Sequence, residues 1–544
     1  MGKRLVSLLT ALALAVSAFA SLTVAPAGAV VEDPDSAIVF PFVPNGEEYG
    51  NMGPWYGSIT VQNPNDDTIR VEIWKAADFF APEGDDKPTW LVATTLQPYA
   101  SKTWSATQLF EDEPGGGLIV LGCELTSTSN PDPCEDPADN EYDMDDEADP
   151  EPIAGLAKIT SPVATAAGRT SGQHASVTGY TALGFYEYVD FDDQRNLVFP
   201  IVQTNNGWTS VLHITSFEPL DSCAVTVTLY QSPSGSTDPS FGQFTQLLDR
   251  GKAWHLDLAA EGVPAGWVGQ AWISSDCDVA ATVDRLKAAQ PWGDPVNMAL
   301  TNQALVTDYG DYRLVLPLIF QAYNGWNTGI AIANLATYDV ADVSITYFNS
   351  AGVAVASETL QIQPRAMEFV YRPATTDVGI GGFGSALIES DVEVLVAVDS
   401  VKYTGLGNDV GQALSYVAQE GAELGDLLVL PLFQKQGQLT GGNDNSGIAL
   451  FNTGFLYADV EITIYDASGA EVAPTIEEPI TARIPSLGQF ILYAPSISEL
   501  PGGFQGSVVV DVIFTDEVVV GVSNNVNYDV QFDGSAAFNM TVIE

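Results

Sequence analysis

The stretch Val315-Leu-Pro-Leu-Ile-Phe-Gln-Ala-Tyr-Asn-Gly-Trp-Asn-Thr-Gly-Ile-Ala-Ile-Ala-Asn334 decides the fold. Apolar residues flank a proline, Asn-Gly turns the chain, and a second strand leaves through Trp326 and closes at Asn334. The opening recurs as Val39-Phe-Pro-Phe-Val43, Val198-Phe-Pro-Ile-Val202 and Val429-Leu-Pro-Leu-Phe433. The loop recurs as Gly53-Pro-Trp-Tyr-Gly-Ser58, Asn206-Gly-Trp-Thr-Ser210 and Asn443-Asp-Asn-Ser-Gly447, and the strand end as Asn63, Ser216 and Asn452. Self-similarity at a fixed long period marks a repeat architecture.

Pro200 to Pro317 spans 117 residues and Pro317 to Pro431 spans 114, whereas Pro41 to Pro200 spans 159. Gly155-Leu-Ala-Lys-Ile-Thr-Ser161 aligns with Gly384-Ser-Ala-Leu-Ile-Glu-Ser390, which places an insertion at about 114–154. Inside each module, runs such as Val225-Thr-Val-Thr-Leu229 and Val343-Ser-Ile-Thr-Tyr347 alternate at period 2, the mark of strands with one buried face. About seven such strands per module, parted by Gly, Pro, Asn and Asp, predict an all-β chain of four tandem immunoglobulin-like antiparallel β-sandwich modules. The expected bounds are 30–196, 197–312, 313–426 and 427–544. The proline of each opening strand is expected on a sheet edge, because it cannot donate to a ladder.

Lys3 and Arg4, the apolar run Leu5 to Ala20 and Ala27-Gly-Ala29 read as a signal peptide over 1–29, so the chain is expected to be secreted, extracellular or at a cell surface. No later apolar run is long enough for a membrane span. In the whole 544-residue sequence 19 Lys and Arg face 70 Asp and Glu, a net charge of −51. That balance excludes a nucleic-acid binder, which needs clustered cations.

The four cysteines are expected to pair as Cys123–Cys134, both in the insertion, and Cys223–Cys277, both in module 2. The insertion carries a dense acidic block that includes Asp139, Glu141, Asp143, Asp145, Asp146 and Glu147. Such oxygen ligands suit calcium, but the block lacks the glycine and terminal glutamate of an EF-hand loop and reads first as a solvated loop. No other metal or cofactor is expected.

Catalytic patterns are weak. His174, His213 and His255 fall at unrelated places, and modules 3 and 4 repeat the pattern with no histidine. The chain is therefore expected not to be an enzyme. The turn loops offer the best binding candidates. Trp55, Trp208 and Trp326 could stack on sugar rings, with Asn206, Asn324 and Asn327 supplying hydrogen bonds. Module 4 carries Asp444 in that place, and the competing reading makes Asn-Gly a turn and Trp a plug over the sandwich core.

The quoted stretch resembles the tandem modules of exported bacterial surface proteins built of immunoglobulin-like β-sandwiches with an Asn-Gly-Trp loop. The resemblance extends over residues 37–544, and it implies an extracellular multi-module β-sandwich protein and brings no catalytic residues to transfer. The expected function is a structural subunit of an envelope layer, sheath, filament or extracellular matrix, shaped as a rod or curved chain. Its expected partners are itself or other cell-surface proteins. The alternative is an adhesin or carbohydrate-binding protein that uses the Trp loops, with or without calcium.

Overall fold

Period-2 patterning and β-branched runs fold as antiparallel strands throughout. A computed structural model describes residues 36–79, 90–126, 134, 150–162, 174–185, 196–217, 222–232, 242–288, 297–307, 310–371, 379–380, 382–403, 411–420, 427–439, 442–473, 480–513, 518–528 and 533–543. The expected signal peptide and the acidic residues Asp139 to Glu147 lie outside these.

Among the described residues the six sheets fall into four groups along the chain, and no strand pairs outside its group. In the second group Leu197–Gln203 lies between Val268–Ser275 and Leu305–Val306 in one sheet. Trp208–Ser216, Ala253–Asp257, Val279–Lys287 and Met298–Gln303 make the other. The first group repeats this plan, with Ala37–Val43 in one sheet and Met52–Gln62, Ala154–Pro162 and His174–Thr181 in the other. In the third group a single strand, Phe383–Lys402, serves both halves. Its first part pairs with Asp311–Phe320 and its second with Asn327–Asn334 and Gln412–Val417.

The opening strands are not edges. Each pairs on both sides, as Ala37–Val43 does with Gly116–Glu124 and Leu183–Gly184. The proline sits instead at a register shift, between Phe40 and Val43, Phe199 and Val202, Leu316 and Ile319, or Leu430 and Phe433. A bulge tolerates a residue without an N–H because the ladder is already interrupted there. It also frees carbonyls for the neighbouring module. Pro41 O accepts from Thr215 Oγ1 at 2.5 Å, and Pro317 O accepts from Gln489 Nε2 at 2.5 Å. The extra residues of module 1 fall between Glu124 and Ala154, later than the expected start at 114, because Gly116–Glu124 is itself a central strand.

Ala37–Val43 is buried along its whole length. One face packs inside its own module, and the other lies on Trp208–Ser216 and Val279–Lys287 of module 2. The same step carries Leu197–Gln203 onto module 3, Asp311–Phe320 onto module 4 and Leu427–Gly437 back onto Met52–Gln62 and Ala154–Pro162 of module 1. Head-to-tail contacts whose rotation closes generate a ring. The rod expected from the sequence is thus a closed ring, and the described residues pack as one compact body.

The ring centre is made by His174–Thr181, Met298–Gln303, Gln412–Val417 and Ser535–Asn539, which face one another. Gly179 is needed there, since a Cβ would stand 2.6 Å from the Phe538 ring. At this hub the buried Asp533 carboxylate accepts from Ala299 N at 3.0 Å, Ala413 N at 3.1 Å, Ser535 Oγ at 2.8 Å and Ser176 Oγ at 3.4 Å. One carboxylate therefore touches all four modules.

Polar keys lock the junctions. Lys158, Asp284, Asp399 and Asn524 hold the same register position, opposite Gly179, Thr301, Ser415 and Ala537. Between modules 2 and 3 Arg285 grips Asp399 with both terminal nitrogens at 2.5 Å. Between modules 4 and 1 Lys158 Nζ donates to Asn525 Oδ1 at 2.6 Å and lies 3.5 Å from Asp444. Burial lowers the affinity of this ammonium for its proton, and Asp444 opposes that.

Burial pushes the Asp533 carboxyl up from 3.8 to about 7, against the pull of its hydrogen bonds. The folded chain then keeps a proton that the unfolded chain releases between about pH 4 and 7, so this group's stabilisation is lost as pH rises through that window. In urea denaturation wild type should lose stability relative to Asp533→Asn between pH 4.5 and pH 7.5. A constant difference between the two across that range would show that the carboxyl is ionised in the fold.

Candidate functional site

A cleft of about 700 Å³ opens between modules 2 and 3. On the module 2 side, Asn206 (φ 52°) and Gly207 (φ 81°) turn the chain with left-handed backbone, and Trp208 starts the next strand on the cleft wall. The Lys287 ammonium lies 5.9 Å from the Trp208 ring centroid and 4.6 Å from that of Tyr403, within cation–π range. On the module 3 side, Met367–Tyr371 pairs, among the described residues, with Asn327–Asn334 alone. Phe369 and Tyr371 project from the same face of it, with rings 6.3 Å apart and 10° from parallel. Gly329 makes room for this platform, since a Cβ there would come 2.3 Å from the Phe369 ring. Glu368 and Asp399 supply the acidic lining, and Asp399 is held by Arg285.

At the junction of modules 1 and 2 the chain fills the equivalent space itself. The hairpin strand Asn45–Tyr49 delivers Tyr49, whose ring stacks on Trp55 at 5.6 Å and 16°. Its hydroxyl donates to Asp284 Oδ2 at 2.7 Å. Asp284 lies opposite Val211 as Asp399 lies opposite Gly329, so the two carboxylates are counterparts. Gly50 follows so closely on Leu286 and Val211 that a Cβ would stand 2.3 Å from Leu286. Burial and the Asp284 charge hold the Tyr49 phenol well above its ordinary value, so it stays a donor.

His213 and His255 lie under this plug. His213 Nδ1 and His255 Nδ1 are 2.7 Å apart, and His213 Nε2 is 3.3 Å from Asp284 Oδ2. Phe42 of module 1 stacks on His213 at 4.5 Å. Burial, with the neighbouring His213, pushes His255 down to about 3, so that imidazole is neutral at ordinary pH. The cluster joins two modules. At the third junction Tyr528 lies beside Trp326, with Tyr323 and Tyr493 nearby.

Of the residues singled out in the sequence, Asn206 and Trp208 line the cleft. Trp55 and Trp326 are core plugs, buried at 0% and 2% exposure. Asn324 (φ 49°) makes a turn, and the buried Asn327 accepts from Ala322 N at 3.0 Å. Asp444 replaces the tryptophan of module 4 where it faces Lys158. Both expected disulfides, Cys123–Cys134 and Cys223–Cys277, are formed. The cluster Cys223, Asp276 and Cys277 has no free thiolate to offer a metal. Sequence reading missed Lys287, Glu368, Phe369, Tyr371 and Tyr403. The available signal was Phe369-Val-Tyr371, two aromatics on one face of a short strand.

No family model and no curated protein matches the chain. Among solved structures, the crystal structure of Thermotoga maritima 1070 is 18% identical, with 96% of that chain and 21% of this one covered and a TM-score of 0.18. No helix among the described residues is long and apolar enough to cross a membrane.

If Tyr49 is an internal ligand, Tyr49→Ala should open a second cleft and cost about 3–5 kcal/mol, as for other buried aromatic truncations. Free phenol should then raise the melting temperature of the variant but not of wild type, because it binds only the folded cavity. Equal responses of both proteins would show that Tyr49 does not fill a ligand-like space.

Proposed function

We propose that this is a non-enzymatic exported structural protein, a subunit of an envelope layer, sheath, filament or extracellular matrix, made of four immunoglobulin-like modules behind a signal peptide. The observation that carries this reading is a surface feature. Phe455, Leu456 and Tyr457 stand 86%, 67% and 59% exposed at one loop tip of a chain with net charge −51. Single exposed apolar residues are ordinary, but three in a row on a highly charged protein mark a contact site. The paired disulfides fit an oxidising compartment. The histidine cluster supports the same reading, because its rings are spent on packing module 1 against module 2.

A second reading rests on the cleft. Phe369 and Tyr371 offer ring faces beside Trp208, and Asn206 and Glu368 offer polar groups, a combination that suits a carbohydrate. Sedimentation velocity over a wide concentration range, with electron microscopy in calcium and in EDTA, separates the two. Growth of ordered assemblies is expected, and their loss in EDTA would mean that cations bridge the acidic surfaces. A single ring at every concentration, joined with glycan retention that Trp208→Ala abolishes, would replace the structural reading with the carbohydrate one.

A further inference from the structure

Resting on the assembly reading, we propose that the loop tip Phe455-Leu-Tyr457 of one copy inserts into the cleft between modules 2 and 3 of a second copy. Its aromatic rings pack on the exposed Phe369–Tyr371 platform beside Trp208, as Tyr49 packs on Trp55 at the first junction.

The occupant is argued from within the chain. The junction of modules 1 and 2 shows what such a cleft holds: an aromatic ring stacked on the loop tryptophan, delivered by the hairpin Asn45–Tyr49. The junction of modules 3 and 4 gathers tyrosines around Trp326. At the junction of modules 2 and 3 no such hairpin precedes Trp208, and about 700 Å³ stays open. The space is large enough for a ligand-sized insertion.

The tip has the matching character. From Asn452 to Ala458 there is no charged residue, in a chain with 70 acidic ones. The corresponding turn of module 1, Asn63-Pro-Asn-Asp-Asp67, is polar and acidic. The tip is also held in shape before it meets a partner. Asn452 Nδ2 donates to Leu456 O at 2.7 Å and Ile484 O at 3.0 Å, and its Oδ1 accepts from Gly454 N at 2.9 Å. Ser486 Oγ donates to Gly454 O at 2.8 Å. A preorganised knob loses little entropy on insertion. Cleft charges do not oppose it, since Lys287 and Glu368 are of opposite sign. Knob and cleft lie on different surfaces, so the contact is heterologous and each copy keeps one free knob and one free cleft. Such contacts propagate into filaments or layers when the rotation does not close.

The test uses two variants of the full chain. One carries Phe455→Ser, Leu456→Ser and Tyr457→Ser, all exposed positions. The other carries Phe369→Glu, on the open side of the cleft. By sedimentation velocity each alone should associate at least tenfold more weakly than wild type, the usual loss for central aromatic contacts. Mixed in equal amounts they should form heterodimers and nothing larger, because only one intact knob meets one intact cleft. Wild type that assembles while the tip variant assembles equally well overturns this contact and leaves the assembly reading standing. Wild type that stays a single ring at every concentration overturns both. Failure of the mixture to dimerise overturns the pairing of knob with cleft, as does retention of a glycan, rather than the tip, in the wild-type cleft. Should Phe369→Glu fold poorly, Tyr457→Cys with Glu368→Cys should give disulfide-linked oligomers on oxidation, and monomers only would count against the contact.

Discussion

Each opening strand is apolar on both faces, and only a neighbouring module can cover the second face. This constraint organises the rest of the molecule. A sandwich of this kind cannot complete its burial alone, because the outer face of Ala37–Val43 or Leu427–Gly437 would stand in water. Four head-to-tail steps return module 4 to module 1 and leave no opening strand uncovered. The proline bulge belongs to the same device. It interrupts the ladder in mid-strand and turns a carbonyl outward, where Thr215 and Gln489 of the following modules bond to it.

Repeats that pack alike could also pack in the wrong order, and polar residues at one register position oppose this. Lys158, Asp284, Asp399 and Asn524 differ at otherwise matching places, so each junction has its own partner set: Asn525 for Lys158, Tyr49 for Asp284 and Arg285 for Asp399. Buried ion pairs add little net stability compared with apolar packing, whereas a mispaired buried charge is costly. The Arg285–Asp399 and Lys158–Asp444 pairs therefore act chiefly as selectors of neighbour. The clustering of four module edges on Asp533 extends this logic to the ring centre.

The cleft follows from an omission in this scheme. Where the first junction has a hairpin and a tyrosine, the second has a short Asn-Gly turn, and a cleft stays open beside Trp208, which itself packs on Val401 and Ala413 of the next module. Its aromatic floor is made by a strand from another module, and Arg285 neutralises the carboxylate beneath it. A site of this type arises from comparing equivalent junctions and is absent from any one repeat read alone.

Strand content and disulfide partners were legible in the sequence, because each depends on local pattern: period-2 alternation, and cysteines confined to short stretches of the chain. The capping role of the recurrent asparagines was half visible. Asn63, Asn334 and Asn452 close the second strand in sequence, and in the structure each donates to carbonyls of the following turn. The place of the prolines was misread, since a missing N–H fits both an edge and a bulge, and only the pairing of the flanking residues distinguishes them. Ring closure, the fate of the three tryptophans and the aromatic platform were decided by tertiary structure alone. Trp55, Trp208 and Trp326 share one motif and all three are buried, yet Trp208 also borders a cleft, because the neighbour that covers each comes from a distant part of the chain.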